Sequence, residues 1–293
     1  MKILIIKLGA AGDVVRTTTL LHLFKNETID WITSRENSIL LTGNKYISRV
    51  LILNEFSYQI LEEYDLIINL EDNVESAEII SKTKFNDLYG CYLDKNENLS
   101  YTENSSAWFD LSLISKFGKQ KADDLKYENK LSFQELVFSG LGYEFNGEPY
   151  ILPKTHPTDL IGDIAISPKA GNRWPMKNWA YFDELSEILK SKGYAVNYLP
   201  TRPTMLEHLA DVRNHKLLIS GDSLPMHFAL GSNVKCLTFF ICTSPAEIYS
   251  YSLQTKLISP NLKEYFYRND FDEKAVKSIS MEEVVEALNQ IGY

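Results

Sequence analysis

Short apolar runs alternate with amphipathic stretches along most of this chain. Residues 3–8 form a nearly continuous apolar run, and residues 9–12 are small and hold two glycines. Val14, Val15, Leu20, Leu21, Leu23 and Phe24 then place apolar side chains along residues 14–25. That order predicts a strand, a glycine-bearing turn and a helix, the opening of a β-α-β unit. Further strands are expected over 29–33, 50–53 and 65–70, with a helix over 74–82. Strands this short and apolar, separated by helices, suit parallel sheets covered on both faces.

The rhythm breaks over residues 84–157. Residues 94–106 are polar and read as a loop, 108–117 and 133–141 as helices, and 147–157, with Pro149, Pro153 and Pro157, as an extended linker. The alternation then restarts. Strands are expected over 163–167, 195–199, 216–220 and 234–240, and helices over 178–192, 223–230, 245–251 and 281–291. Gly193 is a helix stop, and Ser280 with Glu283 forms a capping-box pattern before the last helix. No short-period repeat is present. The pattern therefore predicts two α/β halves, 1–157 and 158–293, and a ligand cleft where two such halves face each other. A length of 293 residues fits two domains.

Charge narrows the partners. The net charge is -9, with no basic stripe of the kind nucleic-acid binders carry. Residues 1–157 hold 16 basic and 23 acidic side chains, and residues 158–293 hold 14 and 16, so an anionic small molecule is better placed in the second half. Cys91, Cys236 and Cys242 show no C-x-x-C spacing and read as reduced thiols of a cytosolic protein. The apolar stretch before Lys7 is too short for a signal-peptide core, and no run is long enough to span a bilayer.

Three segments carry candidate chemistry, each between an expected strand and an expected helix. Lys7-Leu-Gly-Ala-Ala-Gly-Asp13 is neither a Walker A loop nor G-x-G-x-x-G. Gly9 and Gly12 allow close backbone approach, and Asp13 reads either as a helix N-cap or as a reactive carboxylate. Ser167-Pro-Lys-Ala-Gly-Asn-Arg-Trp-Pro175 places Lys169 and Arg173 at a strand's C-terminal end, as an anion grip or as a solvated basic loop. Ser220-Gly-Asp-Ser-Leu-Pro-Met-His227 can cradle a pyrophosphate at a helix N-terminus through Ser223 and the N–H groups that follow. Taken alone, Asp222 reads as a cap and His227 as a packed histidine. No spacing suggests a metal site.

In this order the motifs resemble the bacterial ADP-heptose:lipopolysaccharide heptosyltransferases, the family 9 glycosyltransferases. The opening MKILIIKLGAAGDVVRTT, the strand Asp65-Leu-Ile-Ile-Asn-Leu70, Asn172-Arg-Trp-Pro175 followed by Asn178-Trp179, Gly221-Asp-Ser-Leu-Pro-Met-His227 and Thr243-Ser-Pro245 carry the likeness. It implies an α/β fold of two facing Rossmann-like domains (GT-B type) with the active site in the cleft between them. Residues 1–157 would bind the acceptor and 158–293 the nucleotide-sugar, with a final helix able to pack back on the first domain. It implies an inverting, metal-independent glycosyltransferase without a cofactor, moving a heptose-like sugar from an ADP-sugar to a glycan hydroxyl in lipopolysaccharide core or related glycan synthesis. The setting would be the cytoplasm, peripheral to the inner face of the inner membrane.

By position, Asp13 matches the family's general base. Asp222 and His227 match its donor motif, and Glu207 matches more loosely an acid that binds the nucleotide ribose. Gly12, Lys169, Asn172, Arg173, Ser223 and Leu224 complete the expected donor side, and Lys7 and Arg16 the acceptor side. Leu224 stands where the family often has glycine, and Asn172 where it has lysine. These two departures keep a non-catalytic sugar-nucleotide module in view, as well as a transferase with another donor and a small-molecule or surface-glycan acceptor. The acidic first half predicts that activity falls only weakly with added salt; a steep fall in a salt titration would show a polyanionic acceptor instead.

Overall fold

The computed structural model describes residues 1–171 and 173–293. Among these residues the chain forms two compact units, Met1–Pro153 and Lys154–Tyr293. The first contains β1 (Lys2–Ile6), β2 (Thr28–Thr33), β3 (Arg49–Ile52), β4 (Tyr64–Asn69), β5 (Phe85–Leu93) and β6 (Leu99–Tyr101) in one sheet, ordered β3-β2-β1-β4-β5-β6. The strands from β3 to β5 run parallel, and β6 returns antiparallel along β5. Ile3, Leu4, Ile5 and Ile6 of the central β1 are fully buried, which is why that strand reads as an unbroken apolar run. The helices of this unit are α1 (Ala11–Thr17), α2 (Val74–Ser81), α3 (Ser106–Phe109), α4 (Lys119–Glu128) and α5 (Phe133–Gly140).

Several elements differ from the sequence pattern. The helix expected over 14–25 starts earlier and tightens into a 3₁₀ turn at Thr18–His22. Thr17, Thr18 and Thr19 donate their hydroxyls back to the carbonyls of Asp13, Val15 and Arg16 at 2.7, 2.6 and 2.9 Å, which competes with regular α-helical bonding. The break in rhythm after residue 84 conceals β5 and β6. The lower end of β5 is polar and exposed, so its strand character comes from pairing with β4. Gly90 inside β5 has φ +109°, and a Cβ there would stand 1.9 Å from the Asn69 carbonyl oxygen, so only glycine fits. The helix expected over 108–117 is the short α3 followed by turns, while the polar α4, burying only Ala122 among its described side chains, shows no amphipathic stripe.

The second unit contains β7 (Ile164–Ser167), β8 (Val196–Tyr198), β9 (Leu217–Gly221), β10 (Lys235–Phe240) and β11 (Gln254–Ile258), an all-parallel sheet ordered β11-β10-β9-β7-β8. Its helices are α6 (Phe182–Ser191), α7 (Met205–Arg213), α8 (Leu224–Gly231), α9 (Leu262–Tyr265), α10 (Glu273–Val276) and α11 (Met281–Gln290). The residues expected as a helix over 245–251 are turns, and β11 follows them, an edge strand whose Gln-Thr-Lys start hides it from a hydrophobic pattern. The final α11 packs in its own unit, through Val284, Ala287 and Leu288 against a cluster that includes Leu185 and Leu189. The three cysteines are buried and free. Burial pushes the Cys91 and Cys236 thiols up to about 12 and Cys242 to about 11, so none is a nucleophile at neutral pH.

The capping box at α11 is formed: the Ser280 N–H donates to Glu283 Oε2 at 2.7 Å, and the Glu283 N–H to Ser280 Oγ at 3.2 Å. Ser280→Ala is expected to lower stability by about 1 kcal/mol, read from urea unfolding.

Candidate functional site

In an open parallel sheet the strand order reverses at one place, and the loops leaving the flanking strands diverge there to open a crevice. In the first unit that place lies between β1 and β4. Lys7 and Asp13 come from the chain leaving β1, and Glu71 from the chain leaving β4. The Lys7 ammonium lies 2.9 Å from Glu71 Oε1 and 3.9 Å from Asp13 Oδ2, and it donates to the Leu70 carbonyl at 3.3 Å. Glu71 Oε1 also accepts from the Leu8 N–H at 2.7 Å. On the other side of Asp13, Arg16 lies 3.0 Å from Oδ1, and its guanidinium sits 4.2 Å from the centre of the Phe133 ring.

Lys7, Arg16 and Glu71 are each less than a tenth exposed, whereas the Asp13 side chain is 33 % exposed. The arrangement is a carboxylate at a crevice, aimed by two buried cations that are themselves held from behind. Asp13 is not a helix cap. Ala10 occupies that position, and Asp13 lies in the first turn of α1. Gly12 lies beside it in the same turn. A Cβ at Gly9 would stand 3.2 Å from the Asn37 amide nitrogen, which donates to the Leu8 carbonyl at 2.7 Å and braces the turn.

The second unit repeats the device between β7 and β9. Asp222, just past β9, accepts from the Lys177 ammonium at 2.8 Å and from the Thr243 hydroxyl at 2.8 Å. Lys177 also donates to the Asp222 carbonyl at 2.9 Å. Burial alone would raise the Asp222 pKa. Lys177, His227 and the Thr243 hydrogen bond outweigh it and hold the carboxyl below its usual range. His227 is buried in the first turn of α8, and Ser223 is the N-cap of that helix, its hydroxyl donating to the Gly221 carbonyl at 3.2 Å. Gly221 has to be glycine, because a Cβ there would stand 2.4 Å from the Lys177 carbonyl oxygen. Lys169 and Arg173 lie exposed on the loop after β7, the Arg173 guanidinium 5.3 Å from the Trp174 ring centre. Trp174 in turn meets Tyr267 edge to face, and the Tyr267 hydroxyl donates to Glu247 at 3.1 Å.

Solved structures carry the same architecture along the whole chain. A glycosyl transferase family 9 protein from Veillonella parvula matches with a TM-score of 0.67 at 18 % identity, over 99 % of this chain and 96 % of its own. The fold is that of the family 9 glycosyltransferases. Escherichia coli heptosyltransferase WaaC, solved with ADP-2-deoxy-2-fluoro heptose, matches with a TM-score of 0.61 at 15 % identity over all of both chains. The iron-containing dodecameric glycosyltransferase TibC from enterotoxigenic E. coli matches with a TM-score of 0.58 at 12 % identity, over 99 % of this chain and 78 % of its own. No protein-family model matches the sequence. No curated protein matches it either.

The residues expected from the family likeness fall into two groups. Asp13, Lys7, Arg16 and Gly12 converge in the first unit, and Asp222, Ser223, Leu224 and His227 in the second, with Lys169 and Arg173 on the adjoining loop. Leu224 is the first residue of α8 and takes helical backbone, so it needs none of the freedom a glycine would bring. Glu207 is engaged elsewhere: its carboxylate accepts from the Thr204 N–H and hydroxyl at 3.0 and 2.9 Å in a capping box for α7, a helix absent from the sequence pattern. Asn172 lies outside the described residues. Among the described residues no cluster of three or more metal-ligating side chains is present.

Glu71 and Lys177 were missed. Their sequence signals were an acid directly after an apolar strand, and a lysine two residues past Trp174-Pro175. With its carboxyl held below the usual range, Asp222 contributes stability that is complete above that range and is lost as pH falls from it through the lowered folded value. Lys177→Met leaves a largely buried carboxylate with only the Thr243 hydroxyl, among the described residues, as a hydrogen-bond donor, so it is expected to cost about 2–4 kcal/mol at neutral pH. Unfolding measured at neutral and acidic pH should show that deficit shrink once the stranded Asp222 is protonated.

Proposed function

We propose that this chain is an inverting glycosyltransferase that moves a heptose-like sugar from an ADP-sugar to a glycan hydroxyl, in lipopolysaccharide core or related glycan synthesis. The observation that carries this reading is Asp13, a part-exposed carboxylate gripped by Lys7 and Arg16 at the crevice of the first sheet. A sugar hydroxyl is a weak nucleophile. A carboxylate within hydrogen-bond reach takes its proton as the oxygen attacks the anomeric carbon, and a single displacement inverts that centre. Lys7 and Arg16 act as positioning residues that fix where the Asp13 oxygens stand.

The second unit is suited to the donor. Charge develops on the diphosphate as the glycosidic bond breaks. The first turn of α8, opened by Ser223 and Leu224, presents backbone N–H groups to that charge, and Lys169 and Arg173 supply cations beside it. Asp222 is already neutralised by Lys177, so it does not repel the anion as a bare carboxylate would. In this reading the α8 N–H groups, Lys169 and Arg173 take the place a metal would have at the diphosphate, and no cofactor takes part. No helix among the described residues is long and apolar enough to cross a membrane. In this reading transfer takes place in the cytoplasm, and a lipid-linked acceptor would be met at the membrane surface.

A transferase using another nucleotide is the second reading, because the diphosphate contacts proposed for the first turn of α8, Lys169 and Arg173 suit any nucleoside-diphosphate sugar. A thermal-shift screen of ADP-, GDP- and UDP-sugars separates the two: the true donor far above its Kd adds about 2–4 kcal/mol of apparent stability. Asp13→Asn is expected to lower transfer at least a hundredfold while leaving that stabilisation in place. Full turnover by the variant would overturn the assignment of the base, and donor binding with no transfer by the native chain would leave a non-catalytic sugar-nucleotide module.

A further inference from the structure

The opposite end of the first sheet holds a cavity of about 660 Å³, within the size range of small-molecule sites. It opens beside the starts of β4 and β5, at the strand ends away from Asp13. Its walls bring together Phe24, Tyr143, Tyr89, Asp65, Asn86 and Asp87. Phe24 and Tyr143 meet edge to face with ring centres 6.1 Å apart, which leaves the Tyr143 ring 44 % exposed. Asp65 is braced by the Lys2 N–H at 2.7 Å and the Asn86 amide at 3.3 Å.

Tyr89 is 1 % exposed, and its hydroxyl has no hydrogen-bond partner among the described residues. A buried hydroxyl in that state costs about 1–3 kcal/mol, a penalty that a bound polar group can relieve. Burial raises its pKa, so it remains a protonated donor. Gly140 lies against it: a Cβ there would stand 2.8 Å from the Tyr89 hydroxyl oxygen.

The chemistry of the lining selects the ligand. Among the described residues it includes carboxylates, amides and a tyrosine hydroxyl but no lysine, arginine or histidine, and the Met1 ammonium there is already paired with Glu27, so a phosphate or nucleotide would meet two carboxylates and no unpaired cation. Carboxylate and amide side chains next to an exposed aromatic ring suit a molecule that offers many hydroxyls on one side and a C–H face on the other. We propose that this cavity binds an uncharged saccharide unit. The sugar ring lies against Tyr143, its hydroxyls donate to Asp65 and Asp87, and the Tyr89 hydroxyl donates to a sugar oxygen. The site is separate from the crevice at Asp13 and does not depend on the transfer reaction proposed above.

The test is calorimetric titration of the full chain with lactose, cellobiose and diacetylchitobiose, with glucose 6-phosphate as the anionic control. At least one uncharged sugar is expected to bind with a millimolar Kd, and more tightly than the phosphorylated one. Tyr143→Ala, at an exposed position, is expected to weaken it about fivefold or more. Tyr89→Phe should weaken binding similarly while leaving Tm equal or higher, because it deletes a hydroxyl that has no partner in the free protein; a purely structural tyrosine would not show that split. Asp13→Asn should bind the sugar as the native chain does. Failure of every uncharged sugar to bind, preference for the phosphorylated one, or unchanged affinity in either tyrosine variant would overturn the proposal.

Discussion

Lys7 and Glu71 form an ion pair at the end of two adjacent buried strands, and the surroundings of Asp13 depend on it. Each side chain is about nine-tenths hidden from solvent. Taking both out of water costs several kcal/mol per ion before their attraction is counted, and such a pair is tolerated only where further hydrogen bonds share the load. Here the Leu8 N–H and the Leu70 carbonyl do so. The pair therefore ties the turn after β1 to the chain leaving β4. It also holds Lys7 close enough to Asp13 for one cation to serve two carboxylates.

The second unit meets the same constraint with different residues. Parallel strands with both faces covered leave polar groups room only at their ends, and the ends that open outward lie where the strand order reverses. Asp222 stands at that place, with Lys177 and Thr243 brought to it from the chain that follows β7 and β10. Gly221 lets the Lys177 backbone come close enough to make the pair. One fold rule thus yields two polar centres of different character: in the first a carboxylate stays part exposed, and in the second the carboxylate is paired with a lysine and a threonine hydroxyl.

Much of this was legible in the residues. The strands from β1 to β4 and from β7 to β10 read directly, because a buried parallel strand has to be apolar on both faces. Asp13 and the stretch from Asp222 to His227 stood out because each follows such a strand and precedes a helix. What the pattern hid was whatever a partner strand or a distant contact creates. β5 and β11 carry polar residues because they sit toward the edges of their sheets, α4 is polar all round, and α7 was passed over although its Thr204–Glu207 capping box stood in the sequence. The acid expected to bind ribose, Glu207, turned out to cap that helix.

The sequence alone therefore determined the class of fold, the order of its buried parallel strands from β1 to β4 and from β7 to β10, and the turns that carry the candidate chemistry, since those follow from local periodicity and from short-range backbone limits. The tertiary structure decided which side chains meet. Lys7 finds Glu71 across 64 residues and Lys177 finds Asp222 across 45, and no local rule encodes pairings that exist only once two strands lie side by side. It also decided that Asp13 is a gripped carboxylate, because Arg16 and Lys7 are buried on either side of it, and not a helix cap, because Ala10 takes that position.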